Sequence, residues 1–194
     1  MFFFEIDEEV HLRLLSGLDT EPLFKLIDES RNDLRKWLPW LDDTLRPHDS
    51  RRFIEQSMTL YNNRQALTVG IFYKNELAGI AGFNEYEWVN KIAYIGYWLG
   101  VRYQGKGIMT RVVHALTDYG FNHLKFNRMD IRAATGNVKS RAIPERLGYT
   151  LEGHIRQAEW LYDHYVDHAV YGMLAHEWEL SKKTMKIKNS RHPD

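Results

Sequence analysis

The sequence predicts one α/β domain built on a mixed sheet, and three observations carry that prediction. Residues 67–99 hold three strand-like runs broken by tight turns. Residues 92–134 hold a strand, a glycine-rich turn, a helix and another strand, which is the order of a crossover unit. Residues 149–178 hold two more strand-like runs. A meander pairs antiparallel and a helical crossover pairs parallel, so the sheet must contain both. The domain is expected over residues 1–180. Residues 181–194, with Lys182, Lys183, Lys186, Lys188 and Arg191, are expected to be a basic, disordered tail.

In chain order, residues 10–15 alternate well enough for a first strand. Asp19 or Thr20 can cap a helix that opens with Glu21-Pro22, a favourable first-turn pair. Leu23, Phe24, Leu26 and Ile27 give that helix an apolar face. A second short helix is expected over Arg31–Leu38, stopping before Pro39. A third starts at Asp49 or Ser50 and runs to about residue 64, with Phe53, Ile54 and Met58 inward. Then the period changes. Leu67–Tyr73 reads as a strand, Lys74-Asn75-Glu76 as a turn, and Leu77–Tyr86 as the hairpin partner. Residues 90–99 complete the meander; the β-branched and aromatic run Ile92–Leu99 suggests burial on both faces. A central helix follows over 107–123, then a strand over Arg128–Ala134 parallel to the one before the helix. Asn137–Leu147 reads as a short helix closed by Gly148, and Pro144 places its regular part from about Ser140. Tyr149–Trp160 and Tyr165–Trp178 read as a final antiparallel pair.

Composition narrows the function classes. The formal net charge is zero, so no broad attraction to nucleic acid or membrane is expected. There is no cysteine, which excludes disulfides, thiolate nucleophiles and thiolate metal sites. The start Met1-Phe2-Phe3-Phe4 is followed at once by acidic residues, unlike a signal peptide, and no apolar run approaches membrane-spanning length. A cytoplasmic protein is expected. His154, His164 and His168 lie near Asp163 and Asp167, but the spacing of His164 and His168 converges only on a helix, and this stretch reads as turn and strand. No metal site is expected.

The most informative stretch is residues 92–109, where the strand runs through Gly105 and Gly107 into the central helix. Such a junction offers unpaired backbone N–H groups and the positive end of a helix dipole, a setting for an anion. Lys106 and Arg102 add positive charge. Gly100, Gly105 and Lys106 fit a nucleotide phosphate loop, but Gly107 stands where its magnesium-holding hydroxyl belongs. A dinucleotide loop fails too, because Thr110 replaces its third glycine. What remains, Arg102-x-x-Gly105-x-Gly107, resembles the acyl-CoA loop of the GNAT acetyltransferase superfamily. A second motif, Asn137-x-x-Ser140 followed by Leu147-Gly148-Tyr149 and Glu152-Gly153, closely resembles the second acetyl-CoA motif of the RimJ/RimL-type branch. Trp37-Leu38-Pro39-Trp40 and Gln157-Ala158-Glu159-Trp160 are also similar to segments of that branch. The resemblance spans residues 10–178, and two motifs in the right order are far more specific than either alone.

The resemblance implies a GNAT-like fold: a mixed, mostly antiparallel sheet with splayed central parallel strands, flanked by helices. It implies an acetyl-CoA-dependent N-acetyltransferase with acetyl-CoA as co-substrate. Gln104, Gly105, Lys106, Gly107, Ile108 and Met109, with Arg102, would cradle the pyrophosphate. Backbone N–H groups near Trp98 and Leu99 would meet the thioester, and Asn137 would orient the pantetheine arm. Ser140 matches the family acid for the departing thiolate, although a serine there also suits a helix start. Glu159 matches the family base, although a lone strand carboxylate is more often simply solvated. Many relatives carry a glutamate on the central strand before Gly96; Tyr94 stands there instead, which shifts the base toward Glu159 with Glu85 in reserve. Trp37 and Trp40 are expected in the core rather than in a substrate pocket. The preferred acceptor is a protein N-terminal amine, such as that of a ribosomal protein. The alternatives are a small amine (polyamine, antibiotic or amino acid) and a non-catalytic acyl-CoA-binding module. Family members often form homodimers, and the chain itself does not fix its oligomeric state.

Overall fold

A computed structural model describes residues 2–181, which build a single sheet of eight strands in the order β1-β2-β3-β4-β5-β6-β8-β7. The strands are β1 Phe3–Glu5, β2 Val10–Arg13, β3 Leu67–Tyr73, β4 Glu76–Glu87, β5 Ile92–Leu99, β6 Arg128–Ala134, β7 Thr150–Leu161 and β8 His164–Leu174. The helices are α1 Thr20–Leu34, α2 Pro47–Asn62, α3 Ile108–Asn122 and α4 Val138–Arg146. Every strand pair is antiparallel except β5 with β6, the pair joined by the α3 crossover. Among the described residues no helix is long and apolar enough to cross a membrane. The tail expectation falls on residues that lie almost wholly outside those described.

The two faces of the sheet carry different helices. A Cβ built on Gly120 of α3 would collide with the Met129 side chain of β6, so α3 lies directly against that face. Trp98 of β5 instead meets Trp40, which follows α1, with ring centroids 6.0 Å apart. Helices α1 and α2 therefore share the face to which Trp98 points. Leu12, Leu23, Ile71, Phe83, Leu116 and Met129 are almost wholly buried between these layers. Each such side chain contributes about 1.5–3 kcal/mol relative to exposure.

Several sequence expectations are corrected. The N-terminal phenylalanines form an additional strand, β1, paired with β2. The helices expected at Glu21 and at Arg31–Leu38 are one, and regular structure ends at Leu34, well before Pro39. Asp19 precedes α1 without capping it, because its carboxylate is engaged by Arg13 at 2.7 and 2.8 Å and by the Ser16 N–H at 2.8 Å. Ile54 of α2 points inward as expected, but Phe53 is exposed, and Ser50 and Ser57 share the buried face with Ile54. The strand expected to reach Trp178 stops at Leu174, and residues 175–181 are helical. Ile92–Leu99 is not buried throughout: only Ala93 and Ile95 are, and the other residues of the strand on both faces are half-buried. Strand β3, strand β6 and the turn at Lys74 and Asn75 (φ 51° and 67°, the signature of a tight hairpin) stand where the sequence puts them.

Candidate active site

Strand β5 leads into the glycine bend. Gly105 and Gly107 have φ of +74° and +70°, a region that costs other residues about 1–2 kcal/mol and glycine almost nothing. A Cβ at either position would meet nothing within 4 Å, so the bend faces open space. Gly107 precedes α3 with no side-chain cap. Among the described residues, the N–H groups of residues 105–109 have no hydrogen-bond partner. Ile108 and Met109 sink their side chains into the core, which leaves only their amides for a ligand. Five free donors in sequence at a helix N-terminus form a nest for an anion.

The side chains around the bend are held from behind. The Lys106 ammonium lies 5.4 and 5.7 Å from the rings of Tyr73 and Tyr103. The Arg102 guanidinium lies 3.8 Å from Glu29 and 5.2 Å from the Tyr103 ring. Gln104 donates to Asp33 of α1 at 2.9 Å and accepts from Lys139 of α4 at 3.1 Å. It therefore spans the mouth between the ends of β5 and β6.

Below that mouth the sheet splits. Strands β5 and β6 pair only from Ile92 with Arg128 to Ile95 with Ile131. Beyond that point β5 stays with β4 and β6 stays with β8. The break faces a bulge in β4 at Asn84, where the register shifts between Phe83 and Glu85. A bulge bends its strand and sharpens the local twist, which is the physical cause of a divergence here. Gly100 donates its N–H to Ala78 of β4 at 2.8 Å, and a Cβ on Gly79 would collide with the Trp98 carbonyl oxygen. The Trp98 and Gly100 peptides thus turn toward β4. Alternation along a strand then turns the Tyr97 and Leu99 peptides into the split. Of the two peptides named from the sequence, the donor facing the gap is Leu99; Trp98 contributes its side chain.

Each face of the split carries one candidate catalytic group. On the α3–α4 face, Asn137 caps α4 by accepting the Ser140 N–H at 3.2 Å. Ser140 is therefore not the cap, and its hydroxyl is left for another role. Tyr97 of β5 donates to the Ser140 carbonyl at 3.0 Å, and the Ser140 Oγ lies 3.5 Å from the Tyr97 oxygen. Burial pushes the Tyr97 phenol above its ordinary pKa, so it stays protonated as a donor.

On the other face, Tyr94 aligns with Asp130, Asp130 with Gly172, and Ala134 with His168. Paired residues share a face, so His168 stands on the side of Trp98 and Tyr94. The His168 Nε2 lies 3.2 Å from the Glu159 carboxylate across the β7–β8 hairpin. Tyr94 donates to Glu87 at 3.2 Å, and burial raises its pKa, so it does not replace a carboxylate as base. His164 pairs with its neighbour Asp163 at 2.6 Å, away from this pair.

The connector after α1 closes the end of the cleft. The Trp37 ring faces Gly136, just before α4, where an added Cβ would come into ordinary contact with it. Trp40 meets Trp98 on the other lip. Both tryptophans are half-buried: Trp40 packs against the core as the sequence suggests, whereas Trp37 is not part of it and lies at the lip. Tyr162, at the β7–β8 turn, donates to the Leu38 carbonyl at 2.5 Å and accepts the Leu41 N–H at 3.3 Å. Arg35 stacks 3.8 Å over the Tyr162 ring and holds Asp42 through two 2.8 Å bonds. Tyr97, His168 and Tyr162 were not picked out from sequence for these roles. Only strand alternation could have pointed to Tyr97; the partners of Tyr97 and Tyr162 lie far along the chain.

With this geometry in place, comparison with known proteins is informative. Residues 9–150 match the model of the acetyltransferase (GNAT) domain family. The ribosomal-protein-serine acetyltransferase of Escherichia coli (strain K12) is 31% identical over 170 residues, 88% of this chain and 95% of that protein. A crystal structure of the RimL ribosomal L7/L12 α-N-protein acetyltransferase with coenzyme A superposes with a TM-score of 0.87 at 30% identity, covering 91% of this chain and 99% of that one. The microcin C7 self-immunity acetyltransferase, solved with acetyl-CoA and AMP, gives a TM-score of 0.84 at 36% identity, covering 87% and 94%.

Proposed function

The chain belongs to the GNAT acetyltransferase family, and from that premise we propose that it transfers acetyl from acetyl-CoA to the α-amine of a protein N-terminus, with a ribosomal protein as the acceptor class. It is an acetyl-CoA-dependent N-acetyltransferase. The observation that carries the assignment of the site is the split between β5 and β6 opening beside the five free amides of residues 105–109. When bound, acetyl-CoA supplies an activated thioester carbonyl. The amides of 105–109 hold its diphosphate, with Lys106 and Arg102 adding charge. The free amide hydrogens of the Asn137 carboxamide orient the arm. The Leu99 N–H, unpaired in the split, stabilises the negative charge that builds on the carbonyl oxygen. Ser140, on the donor face, gives a proton to the departing sulfur. Glu159, steadied by His168 on the other face, takes a proton from the attacking amine, directly or through water.

The split joins the two faces, which separates donor and acceptor while letting them meet. An α-amine suits so mild a base. Its pKa lies near 8, so roughly one in ten is neutral at pH 7, against about one in a few thousand for lysine. The relatives named for ribosomal-protein acetylation support the same acceptor. The test is an acceptor screen: peptides with free and with blocked N-termini, against spermidine and free amino acids, with thiol release read. Turnover confined to free peptide N-termini supports the proposal. Turnover confined to small amines overturns it.

A further inference from the structure

A second hollow opens on the acceptor face, beside the split. It is an open depression of about 810 Å³, lined by Leu60, Asn63, Arg64, Asn84, Glu85 and Trp88 among others. Asn84 links it to the active site. Asn84 is the bulge residue of β4, and its side chain lies over Gly96, where a Cβ would collide with it. Gly96 is the first residue of β5 past the end of the parallel pairing. The other end of the cleft is bridged by Trp37 and Trp40, which Tyr162 holds down. Asn84 thus places the hollow next to the acceptor side of the split.

Its chemistry is that of a cation site. The Glu85 carboxylate has no hydrogen bond or ion pair among the described residues, whereas its neighbour Glu87 is engaged by Tyr94 and Asn90. Helix α2 ends at Asn62, so the negative end of its dipole points here. Trp88 is 46% exposed, and its indole N–H donates to the Arg64 carbonyl at 2.7 Å, fixing the ring at the rim. A fixed, half-exposed indole attracts cations. Arg64 is the one cation among the lining residues, and its exposed guanidinium has no partner among the described residues.

We propose that this hollow binds the residues following the acceptor's N-terminal amine, with a lysine or arginine side chain placed against Glu85 and Trp88. The proposal rests on the polypeptide acceptor argued above and adds its preferred sequence. The test uses serine-initiated hexapeptides with lysine, glutamine or glutamate at positions two to four, and serine amide as the minimal acceptor. Wild type is expected to favour a lysine peptide about fivefold in kcat/KM, the strength of an exposed ion pair. Glu85→Arg should reverse that preference through KM, and Trp88→Ala should weaken it while turnover of serine amide and KM for acetyl-CoA stay unchanged. Arg64→Gln should increase it. An unchanged preference in Glu85→Arg overturns the proposal. An equal fall for every acceptor also overturns it, because Glu85 would then serve the chemistry itself. If wild type acetylates small amines and no peptide, the polypeptide reading falls and takes this one with it. Peptides acetylated without preference would sink the hollow alone.

Discussion

The Tyr97 hydroxyl donates to the main-chain oxygen of Ser140 at 3.0 Å, so a side chain of β5 grips α4 across the split. The capping of α4 falls to Asn137, which leaves the Ser140 hydroxyl with one long bond, 3.5 Å, to the Tyr97 oxygen. Ser140→Ala is expected to lower kcat about 100-fold, as loss of a general acid does, with KM for acetyl-CoA and melting temperature unchanged. Asn137→Ala should instead cost about 1 kcal/mol of stability, read by denaturant titration. A large stability loss in the serine variant would return it to a structural role.

Glu159 and His168 contact each other at 3.2 Å on the acceptor face. Glu159→Gln is expected to lower kcat about 100-fold while acetyl-CoA still binds. His168→Asn should have the smaller effect, because it only orients the carboxylate. Steady-state kinetics with a peptide acceptor decide between them, and normal turnover by the glutamine variant would remove Glu159 from the mechanism.

Gly107 holds a left-handed backbone in open space at the start of α3. Gly107→Ala is expected to cost about 1 kcal/mol in stability. By tilting the free amides it should also weaken acetyl-CoA binding about tenfold in calorimetry, the equivalent of about 1.4 kcal/mol. Binding at wild-type strength would show that the amides are not the grip.

Tyr162 joins the β7–β8 turn to the connector through two hydrogen bonds. Tyr162→Phe keeps the ring under Arg35 and removes both bonds, for an expected loss of about 1–2 kcal/mol. Because the connector carries Trp37 and Trp40, KM for the acceptor should rise and KM for acetyl-CoA should not.

Arg128 grips Glu152 through bonds of 2.7 and 2.6 Å, and the Arg128 hydrogen bond lowers the Glu152 pKa. A lowered folded-state pKa stabilises the fold above the ordinary carboxylate range and loses that effect as pH falls through the folded value. The Glu152 side chain is 39% exposed, so solvent screening limits the pair to no more than about 1 kcal/mol. Glu152→Gln should therefore lower the melting temperature at pH 7, with the gap to wild type closing toward pH 3.

The strands of the meander, the crossover and the glycine bend were legible because each is a local pattern. The β-branched and aromatic residues of Leu67–Tyr73 mark a strand, and glycines mark a left-handed turn before α3. The family motifs at 102–107 and 137–153 are equally local, which is why donor loop and helix start could be placed together. Helix ends were less legible. The run from Glu21 to Leu38 holds no breaker before Pro39, so packing rather than sequence decided that α1 ends at Leu34.

The chain alone thus determined its class of fold, its donor and the bend that holds it, since these depend on neighbours a few positions apart. Folding decided the rest. The bulge at Asn84 coincides with the point where β5 leaves β6, Ser140 and Glu159 come to opposite faces, and Tyr162 closes one end of the cleft. Those relations join residues far apart in the chain, and no local pattern encodes them. They follow from strand register and from which face each helix covers.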